Sequence, residues 1–192
     1  FSTSAISSDW TNATGVWSNV TGALNQTDEA NSNTNLYATV TQSLSNAYLY
    51  NFKGTISGTG TNRRGGIHIF SDSPSLTNRG NSYLIWMRPD NGTIELYETI
   101  SNVLYVVKTV TYTVLPNTVY DYKISYDKTS GEVKLWINDV FVSSWIDASP
   151  LTSATGVSFR SGNSKFIVDD FKVFRSRGTT STILVGSATT ND

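Results

Sequence analysis

Ser164-Lys165-Phe166-Ile167-Val168-Asp169-Asp170-Phe171-Lys172-Val173-Phe174 alternates apolar side chains, with two adjacent carboxylates in its middle. Period-two alternation is the pattern of a strand with one buried face. Counted by parity, Ile167, Asp169, Phe171 and Val173 share the core-facing row, and Asp170 points the other way. An unpartnered carboxylate in a core row is costly. Asp169 therefore calls for a cation, an arginine or several backbone N–H groups. Two readings stand side by side. Asp169 holds a structural Ca²⁺ with carbonyl oxygens of the N-terminal strand, as suits a hard cation. Or it lies at a sheet rim and accepts backbone N–H bonds.

The same alternation runs outward through the chain. Val16 to Asn25 reads as a tight hairpin turning at Gly22. Further strands are predicted over 36–40, 47–57, 64–71, 82–88, 93–98, 104–112, 119–126, 133–138, 141–146, 156–160 and 165–174. Asp90-Asn91-Gly92 is a hairpin signal because Asn-Gly accepts positive φ. Lys128-Thr129-Ser130-Gly131 and Asn138-Asp139 mark two more turns, and 72–81 is a polar loop. No amphipathic helix is legible. About twelve short strands with polar turns indicate an all-β, two-sheet antiparallel sandwich or jelly roll. The count exceeds that of an immunoglobulin domain, and the Cys…Trp…Cys pattern of those domains is missing.

Composition narrows the function classes. The 192 residues carry 14 Lys+Arg against 15 Asp+Glu, net −1, with no basic stripe, which argues against nucleic acid. Charged residues are only 15%, so Ser, Thr, Asn and Gly must supply the polar surface, a composition common in extracellular β-proteins. The chain contains no cysteine, which excludes disulfides and thiol chemistry. No apolar run approaches the ~18 residues of a membrane span. The start at Phe1-Ser2-Thr3, mid-pattern, is read as a piece of a longer secreted protein. Residues 1–176 form the expected domain. Residues 177–192 are read as a linker or the start of a following module. The sequons at Asn12, Asn19, Asn25 and Asn91 are chance matches in an Asn/Thr-rich chain.

Parity also sorts the side chains that face away from the aliphatic rows. That second face collects His68, Phe70, Trp86, Arg88, Tyr97, Trp136 and Arg160. Aromatic rings stack on the C–H faces of sugars, and arginine holds carboxylates or sulfates bidentately. The expected ligand-binding set is His68, Trp86, Arg88, Tyr97, Trp136 and Arg160. The alternative is that loops cover this face and several of these residues are core. Arg63 and Arg64 beside Gly65-Gly66 read as turn charges or groove residues.

Catalytic patterns known on this type of scaffold are not met. Glu95-Leu96-Tyr97-Glu98 has odd spacing, so its carboxylates fall on opposite faces and cannot form a glycosidase pair. Gly66-Ile67-His68 has glycine where a lyase Q-I-H signature has glutamine. A lyase site built on His68, Tyr97 and Arg88 is the weakest of the alternatives. A lone histidine argues against zinc.

Trp17-Ser18-Asn19-Val20-Thr21-Gly22-Ala23-Leu24, Gly131-Glu132-Val133-Lys134-Leu135-Trp136-Ile137-Asn138-Asp139 and Val168-Asp169-Asp170-Phe171-Lys172-Val173 resemble the concanavalin A-like, laminin-G-like superfamily. That resemblance implies a jelly roll, often with structural Ca²⁺, used mostly for glycan binding. Asn62-Arg63-Arg64-Gly65, Phe70-Ser71-Asp72 and the run from Leu76 to Tyr83 look like an accessory domain of secreted Bacteroidota proteins of xanthan-lyase-like or cell-wall amidase-like type. The expected function is a non-catalytic carbohydrate-binding module. It would hold a neighbouring catalytic module of the same secreted bacterial chain on polysaccharide or peptidoglycan. A spacer or protein-contact domain and a polysaccharide lyase are the alternatives.

Overall fold

The computed structural model describes residues 6–177. All but one residue of the expected linker therefore lies outside the described residues. Fourteen strands follow in chain order. They are β1 (Trp10–Thr14), β2 (Trp17–Val20), β3 (Ala23–Gln26), β4 (Asn35–Thr39), β5 (Ala47–Ser57), β6 (Arg64–Ser71) and β7 (Ser82–Arg88). Then come β8 (Thr93–Ile100), β9 (Val103–Thr111), β10 (Tyr120–Asp127), β11 (Glu132–Ile137), β12 (Val140–Ile146), β13 (Gly156–Gly162) and β14 (Lys165–Arg175). Two seven-stranded antiparallel sheets result, in the orders β1-β4-β13-β6-β7-β8-β9 and β12-β11-β10-β5-β14-β3-β2. The fold is an all-β, two-sheet jelly-roll sandwich.

Local chemistry explains the hairpins. Thr21-Gly22, Ser101-Asn102 and Asn138-Asp139 each take positive φ at both central residues, the geometry that matches strand twist in two-residue loops. The Asp90-Asn91-Gly92 turn differs from expectation. Pro89–Asn91 forms a short 3₁₀ turn, and only Gly92 is left-handed, with φ 65°. Sequence reading also passed over β1, an edge strand whose only part-buried residue is Trp10. With no alternating apolar row, it carried no periodic signal.

The core lies between the sheets. Ile67, Ile69, Ile85, Met87, Ile94, Leu96, Val157 and Phe159 face it from the first sheet; Tyr50, Phe52, Tyr122, Ile124, Phe166 and Val168 face it from the second. Phe52 stacks on Tyr122 at 5.1 Å and meets Phe159 edge-on at 5.2 Å.

Bulges decide where parity fails. Phe70 has φ 52°, and the β13–β6 register shifts beside it. Its ring turns into the core, edge-on to Tyr126 at 4.7 Å and tilted against Tyr48. Phe70 is therefore a core residue, not a member of the second face. The Asp169-Asp170 pair is the second case. Asp170 has φ 53°, and the β14–β5 register shifts between Asp169 and Lys172. Before this bulge Phe166 and Val168 face the core; beyond it Phe171 and Val173 pack against the core. Ile167 and Asp169 are exposed, contrary to the parity count.

Candidate functional site

The outer face of the first sheet gathers most of the expected set. Across the strands, Arg160 (β13), Gly66 (β6), Trp86 (β7) and Glu95 (β8) stand opposite one another. Neighbouring strands lie about 4.8 Å apart, so this row spans ~14 Å. The next row is Ser158, His68, Leu84 and Tyr97. On the other side of the Trp86 row, Arg64 opposes Gly162, and Arg88 opposes Thr93.

Gly66 forms the floor. A Cβ there would meet the Ile85 carbonyl oxygen at 2.0 Å and Cε3 of Trp86 at 2.9 Å, so the indole lies over bare backbone. The Arg160 guanidinium sits above that indole, its Cζ 5.2 Å from the ring centre, a cation–π contact. Trp86 retains only 5% of its accessible surface. Arg88 donates from Nη1 to Glu95 Oε1 at 2.5 Å and from Nη2 to Asn62 Oδ1 at 3.3 Å. The Tyr97 hydroxyl donates to the other Glu95 oxygen. Burial, then the Glu95 carboxylate, pushes the Tyr97 phenol up to about 12.

His68 is wholly buried, its Nδ1 3.0 Å from Ser82 Oγ. Burial first, then the charges of Arg79 and Arg160, hold its pKa well below the ordinary value. Burial and the neighbouring Arg64 also pull the Arg160 guanidinium down to about 10.

Arg79 was not singled out from the sequence. It sits in the 72–81 loop with φ 64° and is completely buried. Its guanidinium donates to Ser158 Oγ (3.0 Å), Asn33 Oδ1 (2.8 Å), and the carbonyls of Thr77 and Thr34 (both 2.5 Å). It lines a cavity of about 150 Å³ with Ala13, Thr14, Asn33, Asn35, Ser75 and Thr77. Loop residues have no parity to read, so only the topology could bring Arg79 against this face of the sheet, beside Ser158. Glu95 was placed on this face by alternation, but its part in holding Arg88 and Tyr97 together was not legible.

Five buried polar atoms on this face lack a hydrogen-bond partner: His68 Nε2, Arg88 Nε, Thr93 Oγ1, Thr99 Oγ1 and Arg160 Nε. Only two other such atoms, Gln26 Oε1 and Asn163 Oδ1, occur elsewhere among the described residues.

Two expected site residues lie apart. Trp136 is on β11 in the second sheet, edge-on to Phe141 at 5.9 Å. It cannot share a ligand surface with Trp86 on the other sheet. Its own strand alternates as expected; which sheet that strand joins depends on pairing that alternation does not encode. Asp169 is the other. Exposed at the bulge, its Oδ1 accepts the Asp170 N–H at 2.8 Å, while Asp170 pairs with Lys53 at 2.6 Å. The case for Ca²⁺ rested on a core-buried carboxylate, and that ground is gone. No group of three or more His, Cys, Asp or Glu that could hold a metal occurs among the described residues.

His68 and Tyr97 share a row, but no hydrogen bond joins them, and His68 is enclosed.

No protein-family model matches the chain, and no curated protein matches its sequence. Solved structures do match its shape. A carbohydrate-binding module, CBM66, from Bacillus subtilis superposes with a TM-score of 0.72 at 14% identity, covering 86% of this chain and 94% of its own. The carbohydrate recognition domain of Emp47p gives 0.68 at 12%, covering 91% of each chain. The Caenorhabditis elegans galectin LEC-6 gives 0.56 at 14%, covering 72% of this chain and 89% of its own. At such identities the likeness is one of fold alone, and it places the chain among galectin-like and carbohydrate-module sandwiches by architecture.

Proposed function

We propose that this chain is a non-catalytic carbohydrate-binding domain whose ligand lies across the outer face of β13, β6, β7 and β8. The observation that carries this is the concentration of partnerless polar atoms on one face. Buried polar groups are normally paired, and sugar hydroxyls both donate and accept. In this reading Arg160 swings off the Trp86 indole as a sugar arrives. The ring then stacks on the sugar's C–H face, and Arg88, Arg160 and Tyr97 take its polar groups. His68, enclosed, supports the face from within. The shape likeness to CBM66 and to the Emp47p recognition domain supports the same reading.

Such a domain would serve a secreted bacterial protein that degrades polysaccharide or peptidoglycan, holding an attached catalytic module near its polymer by raising effective concentration. Affinity electrophoresis and a glycan array test the proposal. Binding that falls at least tenfold in Trp86→Ala and Arg88→Ala is expected. Absence of binding to any glycan, or undiminished binding in both variants, refutes it. The near-complete burial of Trp86 favours one competing reading, a spacer domain with a covered face, and that negative outcome would select it.

A further inference from the structure

The chain as a whole is charge-balanced, but this face is not. Arg64, Arg88 and Arg160 stand on its strands, and Arg79 of the 72–81 loop lies against the same face, bonded to Ser158. The single carboxylate among them is Glu95, and both its oxygens are taken, one by Arg88 and the other by Tyr97. Elsewhere Arg63 pairs with Asp90, Lys53 with Asp170, Lys123 with Asp121 and Asp139, Lys134 with Glu132 and Lys165 with Glu29, while cations without an acid, such as Lys108, Lys172 and Arg175, are exposed to water. Arg64, Arg79 and Arg160 have no ion pair among the described residues. Arg79 is met only by neutral acceptors. Arg160 has one long bond, 3.5 Å to Asn78 Oδ1, and the Trp86 ring.

Like charges gathered in a partly buried place are costly, and so is a buried charge without a counter-charge. A ligand covering the face would strip more water from Arg64 and Arg160. A neutral sugar would leave those charges unanswered. An oxyanion would answer them with charge-assisted bonds. Arg160 and Arg64 sit diagonally on paired strands, where Cα atoms are about 7–8 Å apart, near enough for two guanidiniums to converge on one oxyanion.

We infer that the glycan this face recognises carries an oxyanion substituent, a carboxylate or a sulfate ester, held between Arg160 and Arg64, while Arg88 keeps its Nη1 bond to Glu95 and meets uncharged sugar groups with its remaining N–H groups. The inference rests on the carbohydrate reading above.

The test titrates the full chain with polygalacturonate and its methyl ester, with a sulfated galactan and its desulfated form, and with polyglutamate as a polyanion that is not a sugar. One acidic polymer should bind at least tenfold tighter than its neutral partner. Which of the two pairs shows the difference identifies carboxylate or sulfate. Arg160→Gln and Arg64→Gln should each lose about tenfold on that polymer, one charged bond apiece. Lys172→Gln, the same change of charge on exposed β14 of the other sheet, should lose nothing. Arg64 is only half-buried and no side-chain bond of its guanidinium holds the fold, so its variant remains informative if Arg160→Gln unfolds. Equal binding of acidic and neutral forms overturns the charge inference and leaves the carbohydrate reading standing. Binding to no sugar polymer overturns both. Equal binding of polyglutamate overturns recognition of an acidic sugar in favour of plain polyanion capture.

Discussion

Replacing Gly66 with alanine puts a methyl group where the first sheet has no room. The Cβ would lie 2.0 Å from the Ile85 carbonyl oxygen, and a carbon needs roughly 3.3 Å or more from such an oxygen. The backbone of Gly66 is not left-handed, so the strain is steric. To clear the contact, β6 and β7 must part by about 1 Å, in the middle of a sheet whose neighbours hold both strands. Overpacking of this kind costs ~1–3 kcal/mol, and a weakened ladder hydrogen bond adds ~1 kcal/mol. At ~2–4 °C per kcal/mol for a domain of this size, Tm should fall by roughly 4–16 °C. The same methyl would press on Trp86 Cε3, 2.9 Å away, and lift the indole toward Arg160. Thermal unfolding followed by circular dichroism, with tryptophan emission read alongside, measures both effects. Gly92→Ala is the comparison. Gly92 has φ 65° and nothing within 4 Å, so its cost is conformational, ~1–2 kcal/mol, with tryptophan emission unchanged. A Gly66→Ala protein with Tm within 2 °C of the parent and unaltered emission would refute the close-approach argument and the geometry of the Trp86 platform with it.

Further outcomes follow from titration and placement. Burial, then the neighbouring Asp147, raises the Glu98 pKa. The folded state thus keeps this proton to higher pH than the unfolded chain, and stability is lost as pH rises through that window. Glu98→Gln should therefore raise Tm at pH 7, with the gain shrinking toward pH 4; a lower Tm at pH 7 contradicts this. His68 has the opposite linkage. Its folded pKa is depressed, so the unfolded chain takes up the proton first, and stability falls as pH drops below about 6.5. His68→Gln should flatten the slope of Tm against pH there, whatever its effect on Tm itself; an unchanged slope argues that His68 does not titrate differently on folding. Trp136→Ala should leave glycan affinity within twofold of the parent, because Trp136 lies on the second sheet. A tenfold loss would place ligand there instead.

The strands were legible because the row facing the core is apolar while the row facing away is polar or aromatic. Ile67/Ile69, Ile85/Met87, Ile94/Leu96 and Val157/Phe159 alternate with polar or aromatic partners, and all eight face the core. The site was half legible for the same reason: His68, Trp86, Arg88, Tyr97 and Arg160 fall on one face because their strands pair. Trp86 was left open between a ligand platform and a covered residue, and it lies beneath Arg160 with 5% of its surface exposed. Alternation tells which way a residue points, not what reaches over it.

Residue order alone determined an all-β chain, its hairpin turns and the faces of its uninterrupted strands, since those depend on neighbours two positions apart. Tertiary structure decided the rest. A bulge adds one residue and inverts every face beyond it, which sent Phe70 into the core and Asp169 out of it. Strand partners far apart in sequence assigned Trp136 to one sheet and Trp86 to the other. Loop closure put Arg79 against the outer face of the first sheet, and so created an excess of positive charge that no local pattern in a charge-balanced chain could announce.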